Sequence, residues 1–365
     1  MKILHLFLST NYAATKAIMR LINDNFHQQN YELVIIDNEE NIPNEIKKNK
    51  NVQIINKTTG VYNIGNIIFN KIKYNEKVLM HSISQLNNVT KLKILLRPKL
   101  FKKITWIAWG SDLYEWKTTS KSWRSCLSRI IEWSFRKKII RFVGIFPPDI
   151  DYFKRQFNSK AKTFYAPYPG AIYNPIYNTK FKNQNINDKI QKNSAINIQI
   201  GHQSNPILKH IEVLQDLKKF KNENIKIYLP LNYGDKVHGD KVEQIAKELF
   251  GDKAICIRDK MALDDYMSFL SSIDIAIFNT NRQIGLGNIN PLLFMQKKIF
   301  IPKNSVMYDF FHSEDISIVD YNDIKSESFS SFIKEINTEN GKKYIQVNHL
   351  NIENNIKMWK KVFEN

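Results

Sequence analysis

Short apolar runs separated by longer amphipathic stretches set the first constraint on this chain. Lys2–Leu8, Leu33–Ile36, Val52–Ile55, Val78–Met80 and Ile104–Trp109 are rich in branched apolar residues and bounded by polar ones. Runs of this kind predict strands. Residues 11–29 and 119–138 predict helices between and after them. A second series follows, with strands predicted at Ile196–Ile200, Ile225–Leu229, Ala254–Ile257, Asp274–Phe278 and Ile299–Ile301. Helices are predicted there at 206–220, 240–250, 263–272 and 288–297. Strands alternating with helices need crossover connections, so the expected fold class is α/β, with parallel sheets covered on both faces. Residues 171–195 are polar, rich in Asn and Lys and without periodicity, and read as a linker. The expectation is two Rossmann-like domains facing a cleft. Their boundaries are 1–175 and 196–340, with 176–195 between them and a helix over 341–365.

A length of 365 residues suits two domains. The N-terminal apolar run is too short for a signal-peptide core, and no run approaches the length of a membrane span. Two cysteines, Cys126 and Cys256, make neither a metal-ligand pattern nor a disulfide framework. A cytoplasmic protein, soluble or peripheral, is expected.

The 54 Lys and Arg exceed the 35 Asp and Glu by 19 charges. Codon bias would spread such an excess evenly. Instead residues 71–145 carry 17 basic and 4 acidic residues, a net +13, while 1–70 carry +1 and 146–365 carry +5. The cluster has two parts. Lys91–Lys103 includes Lys99, Lys102 and Lys103, and Trp116–Arg141 includes Arg124, Arg129, Arg136, Lys137 and Lys138 among Trp116, Trp123, Trp133 and Phe135. Such a segment suits an anionic membrane surface, a nucleic acid or a phosphorylated substrate. No recognition-helix, zinc-finger or RNA-recognition signature accompanies it, so nucleic acid is not expected. On composition alone, a non-catalytic peripheral module on the same scaffold stays open.

Open parallel sheets bind ligands beyond the carboxyl ends of their strands. Gly201-His202-Gln203-Ser204-Asn205 follows the strand at 196–200. Gly201 permits a tight turn, Ser204 or Asn205 can cap a helix, and free amides there favour phosphate. An ordinary capped turn has the same sequence. Pro230 ends the next strand, and Tyr233 in Pro230-Leu231-Asn232-Tyr233-Gly234 is placed to stack on a base or sugar. Asn279–Asn288 is the most informative segment. Arg282 is the only Arg within twenty residues and stands beside Gln283, Gly285, Gly287 and Asn288 at a predicted helix N-terminus. A guanidinium fork with backbone amides suits a diphosphate. In the first series, Trp109-Gly110-Ser111-Asp112 ends a buried aromatic strand, and Asp112, Glu115 and His81 are candidate general bases. Asp149-x-Asp151 would suit a metal-diphosphate, but it opens a helix after Pro147-Pro148 and reads as first-turn acidic residues. No metal or other cofactor is expected.

With these residues in view, the chain resembles glycosyltransferase family 56. The resemblance rests on Trp106-Ile-Ala-Trp109-Gly110-Ser-Asp112-Leu-Tyr-Glu115, on Gly201-x-x-Ser204-Asn205 with His210, on Pro230-x-x-Tyr233-Gly234, and on Arg282-Gln283-x-Gly285-x-Gly287. His81 also matches a family position. The order and spacing agree from about residue 78 to 300. The resemblance implies a GT-B fold and transfer of 4-acetamido-4,6-dideoxygalactose from its dTDP form to a polyprenyl-diphosphate-linked saccharide. It also implies a nucleotide-sugar donor held by the C-terminal domain. The base would come from the N-terminal domain, with work at the cytoplasmic side of the inner membrane.

Overall fold

A computed structural model describes residues 2–8, 12–116, 122–171 and 194–365. The chain divides into two compact units, Met1–Tyr173 with Asn351–Asn365, and Asn174–Leu350. Each is built on one parallel sheet. Of the expected linker, residues 176–193 lie outside the described residues.

The first sheet comprises β1 (Ile3–Phe7), β2 (Tyr31–Ile36), β3 (Val52–Ile55), β4 (Lys77–His81), β5 (Ile104–Ala108), β6 (Arg141–Gly144) and β7 (Lys162–Tyr165). Its order is β3-β2-β1-β4-β5-β6-β7, and every neighbouring pair is parallel. Every residue of β1, β4 and β5 is buried. Alternate residues feed two cores, as the two-residue period of a strand requires. Leu4, Leu6, Val34, Val78, Met80 and Trp106 enter one. Ile3, Phe7, Leu33, Ile35, Leu79 and Ile107 enter the other. Strands β6 and β7 escaped the sequence reading. The predicted helix over 11–29 ends at Asn25 and that over 119–138 starts at Trp123.

The second sheet comprises β8 (Ile196–Ile200), β9 (Ile225–Pro230), β10 (Ala254–Ile257), β11 (Ile275–Ile277), β12 (Lys298–Ile301) and β13 (Val319–Asp320). Its order is β10-β9-β8-β11-β12-β13, again parallel throughout. In both sheets the order reverses beside the first strand, between β1 and β4 and between β8 and β11. Such switch points open a crevice at the strand ends.

The helix expected over 341–365 is two helices, and they belong to different units. Glu339–Asn348 ends the second unit, so that unit runs past 340 to Leu350. Ile352–Glu364 returns to the first and buries Trp359, Val362 and Phe363 in its core. Three hydrogen bonds pin it. Lys77 Nζ donates to the carbonyls of Val362 (3.0 Å) and Phe363 (2.6 Å), and Trp359 Nε1 donates to Pro167 O (2.9 Å). Carbonyls at a helix C-terminus lack intrahelical donors, which is why a buried lysine is stable there.

Candidate functional site

The loops after β8 and β9 form one paired unit. Gly201 takes φ +63°. A Cβ there would stand 2.7 Å from His210 Nε2, so glycine is required by both backbone and space. Ser204 bridges to Gly234 in parallel fashion. Its backbone amide and its Oγ both donate to Tyr233 O at 2.8 Å, and Asp235 N donates to Ser204 O at 2.8 Å. Asn205 Oδ1 accepts from Ile207 N at 3.1 Å, capping a short turn. These bonds correct one expectation. The Gly201 amide donates to Ile277 O at 2.9 Å and the Ser204 amide to Tyr233 O, so neither is left for phosphate. What the motif does is hold Tyr233.

The loop after β11 carries the charge. Gly285 (φ +82°) precedes the helix Leu286–Phe294; the Asn288 and Ile289 amides donate to Gly285 O at 2.8 and 2.9 Å, which leaves the Leu286 and Gly287 amides of the first turn without an intrahelical acceptor. The ring of His202 stands against this glycine: a Cβ on Gly285 would lie 2.9 Å from His202 Nδ1. His202 is buried, and Nδ1 has no hydrogen-bond partner among the described residues. Burial, with the nearby Arg282 charge, lowers its pKa to about 4, so the ring is neutral. Arg282 is half-buried, and its Nη1 donates to Gln283 O at 3.0 Å. Gln283 itself is buried, whereas Gly287 meets open space.

Beside this loop lies a cleft of about 510 Å³ lined by Asn232, Tyr233, Lys260, Met261, Leu263, Tyr266 and Asn288. Asn288 Oδ1 accepts from Tyr266 Oη and, at 3.3 Å, from Gln199 Nε2. Burial pushes the Tyr266 phenol well up, so it stays neutral. Pro230 ends β9 and aims the turn that supplies Asn232 and Tyr233. The strand order thus joins the Tyr233 turn and the Arg282 loop across β8 and β11. Sequence reasoning missed Asn232, Lys260 and Tyr266. Asn232 lies in the turn after β9, within the Pro230–Gly234 motif, whereas Lys260 and Tyr266 follow β10, the second of them inside the helix Leu263–Ser272, where no motif drew the eye.

In the first unit the candidate bases have different fates. Asp112 is buried, and its carboxylate accepts from Trp106 Nε1 (2.7 Å), Trp109 N (2.8 Å) and Ile83 N (3.1 Å). Burial raises its pKa against the lowering effect of these donors. It ties the end of β4 to the end of β5. His81 is fully buried. Trp109 Nε1 donates to Tyr168 Oη at 2.5 Å, and the same hydroxyl shares a hydrogen bond with His81 Nδ1, also at 2.5 Å. His81 Nε2 shares another with His5 Nδ1 at 2.9 Å, the tautomers of the two rings setting which nitrogen donates. Burial lowers the pKa of both imidazoles, that of His5 to about 3. Asp112 and His81 are therefore framework groups rather than solvent-facing bases. Of the three, Glu115 alone is exposed. Asp149 is buried, with Oδ1 accepting from Tyr114 Oη at 2.7 Å, while Asp151 is exposed.

The basic cluster divides by depth. Arg136 is buried, paired with Glu132, and donates to Asp112 O at 2.9 Å. This removes it from any surface patch. Lys103 is half-buried and donates to Lys73 O at 2.7 Å, and Arg129 is half-buried beside Cys126. Lys99, Lys102, Arg124, Lys137 and Lys138 are exposed. Among the described residues no helix is long and apolar enough to cross a membrane.

Comparison with known proteins accords with this geometry. Residues 1–362 match the family described as 4-alpha-L-fucosyltransferase, glycosyl transferase group 56, a wider span than the motifs alone cover. Among solved structures, Anabaena HepE in complex with UDP-glucose aligns with a TM-score of 0.69 at 10% identity, covering 100% of each chain. The α,α-trehalose 6-phosphate synthase of Burkholderia multivorans aligns with a TM-score of 0.61 at 8% identity, covering 100% of this chain and 95% of the other. At such identities the likeness shows the fold, which is GT-B.

Proposed function

The chain belongs to glycosyltransferase family 56, and from that premise we propose that it moves a 4-acetamido-4,6-dideoxygalactose-like sugar from a dTDP-sugar to a polyprenyl-diphosphate-linked saccharide, in surface polysaccharide synthesis. One observation carries the reading of the donor site. At the β8/β11 switch point, Arg282, the N-terminus of helix Leu286–Phe294 and the neutral His202 converge beside the cleft floored by Tyr233 and Tyr266.

In this reading the donor diphosphate lies against the Gly285–Gly287 amides and the Arg282 guanidinium. As the glycosidic bond to the donor breaks, negative charge grows on the leaving dTDP. A fixed cation and aligned amides stabilise that charge more than they stabilise the ground state. Tyr233 offers its half-exposed ring to the base or sugar. Gln283 and Asn288 shape the loop, and Gly201, Ser204, Asn205 and Pro230 hold Tyr233 in place. The positive charge comes from the protein, so the reading invokes no metal ion. Glu115 is the group that takes the acceptor hydroxyl's proton, while Asp112 and His81 position the turn that carries it. A lipid-anchored acceptor puts the work at the cytoplasmic face of the inner membrane.

The deciding experiment is a donor screen by ligand-induced thermal shift across dTDP-, UDP- and GDP-sugars, followed by transfer to a polyprenyl-diphosphate saccharide. A shift with dTDP-sugars and turnover only with the lipid-linked acceptor support the reading. A shift confined to UDP- or GDP-sugars would replace the donor, and no shift with any of them would remove the site.

A further inference from the structure

Helices Asn88–Leu95 and Trp123–Lys138 lie side by side in the first unit. Asn88 Nδ2 donates to Ser128 Oγ at 2.8 Å, and Lys91 Nζ pairs with Glu132 Oε1 at 2.5 Å. Both contacts advance together along the two chains, so the helices run in the same direction. Each carries an apolar row that no other described residue covers. On the second, Trp123 (72% exposed), Leu127 and Ile130 (62%) recur at the spacing of one helical face. On the first, Val89, Leu92 and, just past its end, Leu96 (71%) do the same. At about 100° per residue, both rows turn away from the contact between the two helices.

Monomeric proteins seldom expose neighbouring rows of large apolar side chains, and such patches mark interaction sites. The charge around this one identifies the partner. Exposed Arg97, Lys99, Lys102, Arg124, Lys137 and Lys138 flank the two helices. Glu132, the only acidic residue in either helix, is turned inward to Lys91 and Arg136. Trp123 has the Arg124 guanidinium 5.5 Å from its ring, and Trp133 has Lys137 Nζ at 4.6 Å. An apolar face with a basic rim and aromatic side chains at the boundary suits the interface of a bilayer carrying anionic headgroups.

We propose that this helix pair inserts Trp123, Leu127 and Ile130, with Leu92 and Leu96, into the outer layer of an anionic lipid bilayer while the basic rim meets the headgroups. This rests on the reading that the acceptor is held in a bilayer, and adds which face of the enzyme meets it. The insertion is shallow, because side chains and not a helix enter the apolar layer.

The test uses the full chain and sedimentation with vesicles of phosphatidylcholine, with or without phosphatidylglycerol. Wild-type protein should bind the anionic vesicles, lose affinity as salt rises, and bind pure phosphatidylcholine weakly. Trp123→Ser with Ile130→Ser should weaken binding by about tenfold or more, since two large apolar groups no longer transfer. Leu92→Ser with Leu96→Ser should act in the same direction from the neighbouring helix. Both pairs are exposed, so the melting temperature should hold, as should the thermal shift given by a dTDP-sugar. Equal vesicle binding by wild type and both variants would overturn the proposal, as would failure of the wild type to bind anionic vesicles. So would a wild-type dimer that the variants dissociate, or oligonucleotide binding that they abolish. Loss of the dTDP-sugar shift in the wild type would count against the donor reading and leave the vesicle result standing.

Discussion

The ring of His202 occupies the space where a side chain on Gly285 would begin, with Nδ1 2.9 Å and Cε1 3.0 Å from an ideal Cβ. The two residues come from the ends of β8 and β11, the strands that flank the switch point. Their contact sets how closely the helix N-terminus approaches the cleft.

Gly285→Ala should therefore impair donor binding. The new methyl group meets His202 and the backbone is held at φ +82°, a strain of about 1–2 kcal/mol for a residue with a Cβ. A donor KM raised roughly tenfold is the expected reading at that cost. Gly287→Ala meets nothing within 4 Å and serves as the control, with donor KM near wild type.

Arg282→Ala should lower kcat about a hundredfold, the effect of removing one group that stabilises developing negative charge. Arg282→Lys should recover only part of this, because a point charge does not reproduce the guanidinium fork. Steady-state kinetics with a dTDP-sugar would check both. A wild-type rate in Arg282→Ala would take the leaving group away from this loop.

Asp112→Ala should unfold the first unit more easily. It leaves three donors, Trp106 Nε1, Trp109 N and Ile83 N, without their acceptor. A loss of about 3 kcal/mol or more is expected in urea unfolding. Asp112→Asn keeps one oxygen and should lose less. If Asp112→Asn instead abolished turnover with stability unchanged, Asp112 would be acting on substrate.

Stability should fall as pH drops below about 6.5, the ordinary histidine value. His5 and His210 are lowered to about 3 and His202 and His349 to about 4, each mainly by burial. Between those values and 6.5 the unfolded chain binds protons that the folded one refuses. Each group then costs up to about 1.4 kcal/mol per pH unit of acidification. Melting temperatures between pH 7 and about 5 would show the decline, and His202→Gln should flatten its slope.

The sequence exposed what depends on chain-local chemistry. Central strands such as β1 and β5 are nearly continuous apolar runs because both faces are buried, β8 and β9 alternate apolar with polar residues, and all four were legible. Strands β6, β7 and β13 were not. Arg141–Gly144 begins with a charge, Lys162–Tyr165 is an edge strand only partly buried, and Val319–Asp320 has two residues. Gly201 and Gly285 stood out because strand-to-helix turns need positive φ. The pairing of Ser204 with Gly234 joins segments whose meeting depends on strand order, which local spacing does not encode. Charge counts misplaced Arg136, although Glu132 four residues earlier was a visible sign that it is paired. His81 looked like a base because its neighbours His5 and Tyr168 lie far from it in sequence.

The helix Ile352–Glu364, held by Lys77 and Trp359 in the core of the first unit, has a consequence for synthesis. The ribosome completes all of Asn174–Leu350 before it makes the segment that closes the first unit. Until then that unit exposes the face awaiting Trp359, Val362 and Phe363, and the Lys77 ammonium lacks its two carbonyls. The second unit holds all its strands earlier, so assembly is not strictly vectorial from the N-terminus. A chain truncated before residue 352 and released would carry a complete second unit beside an open first one. Chaperones and proteases would recognise that state by its uncovered apolar sheet face.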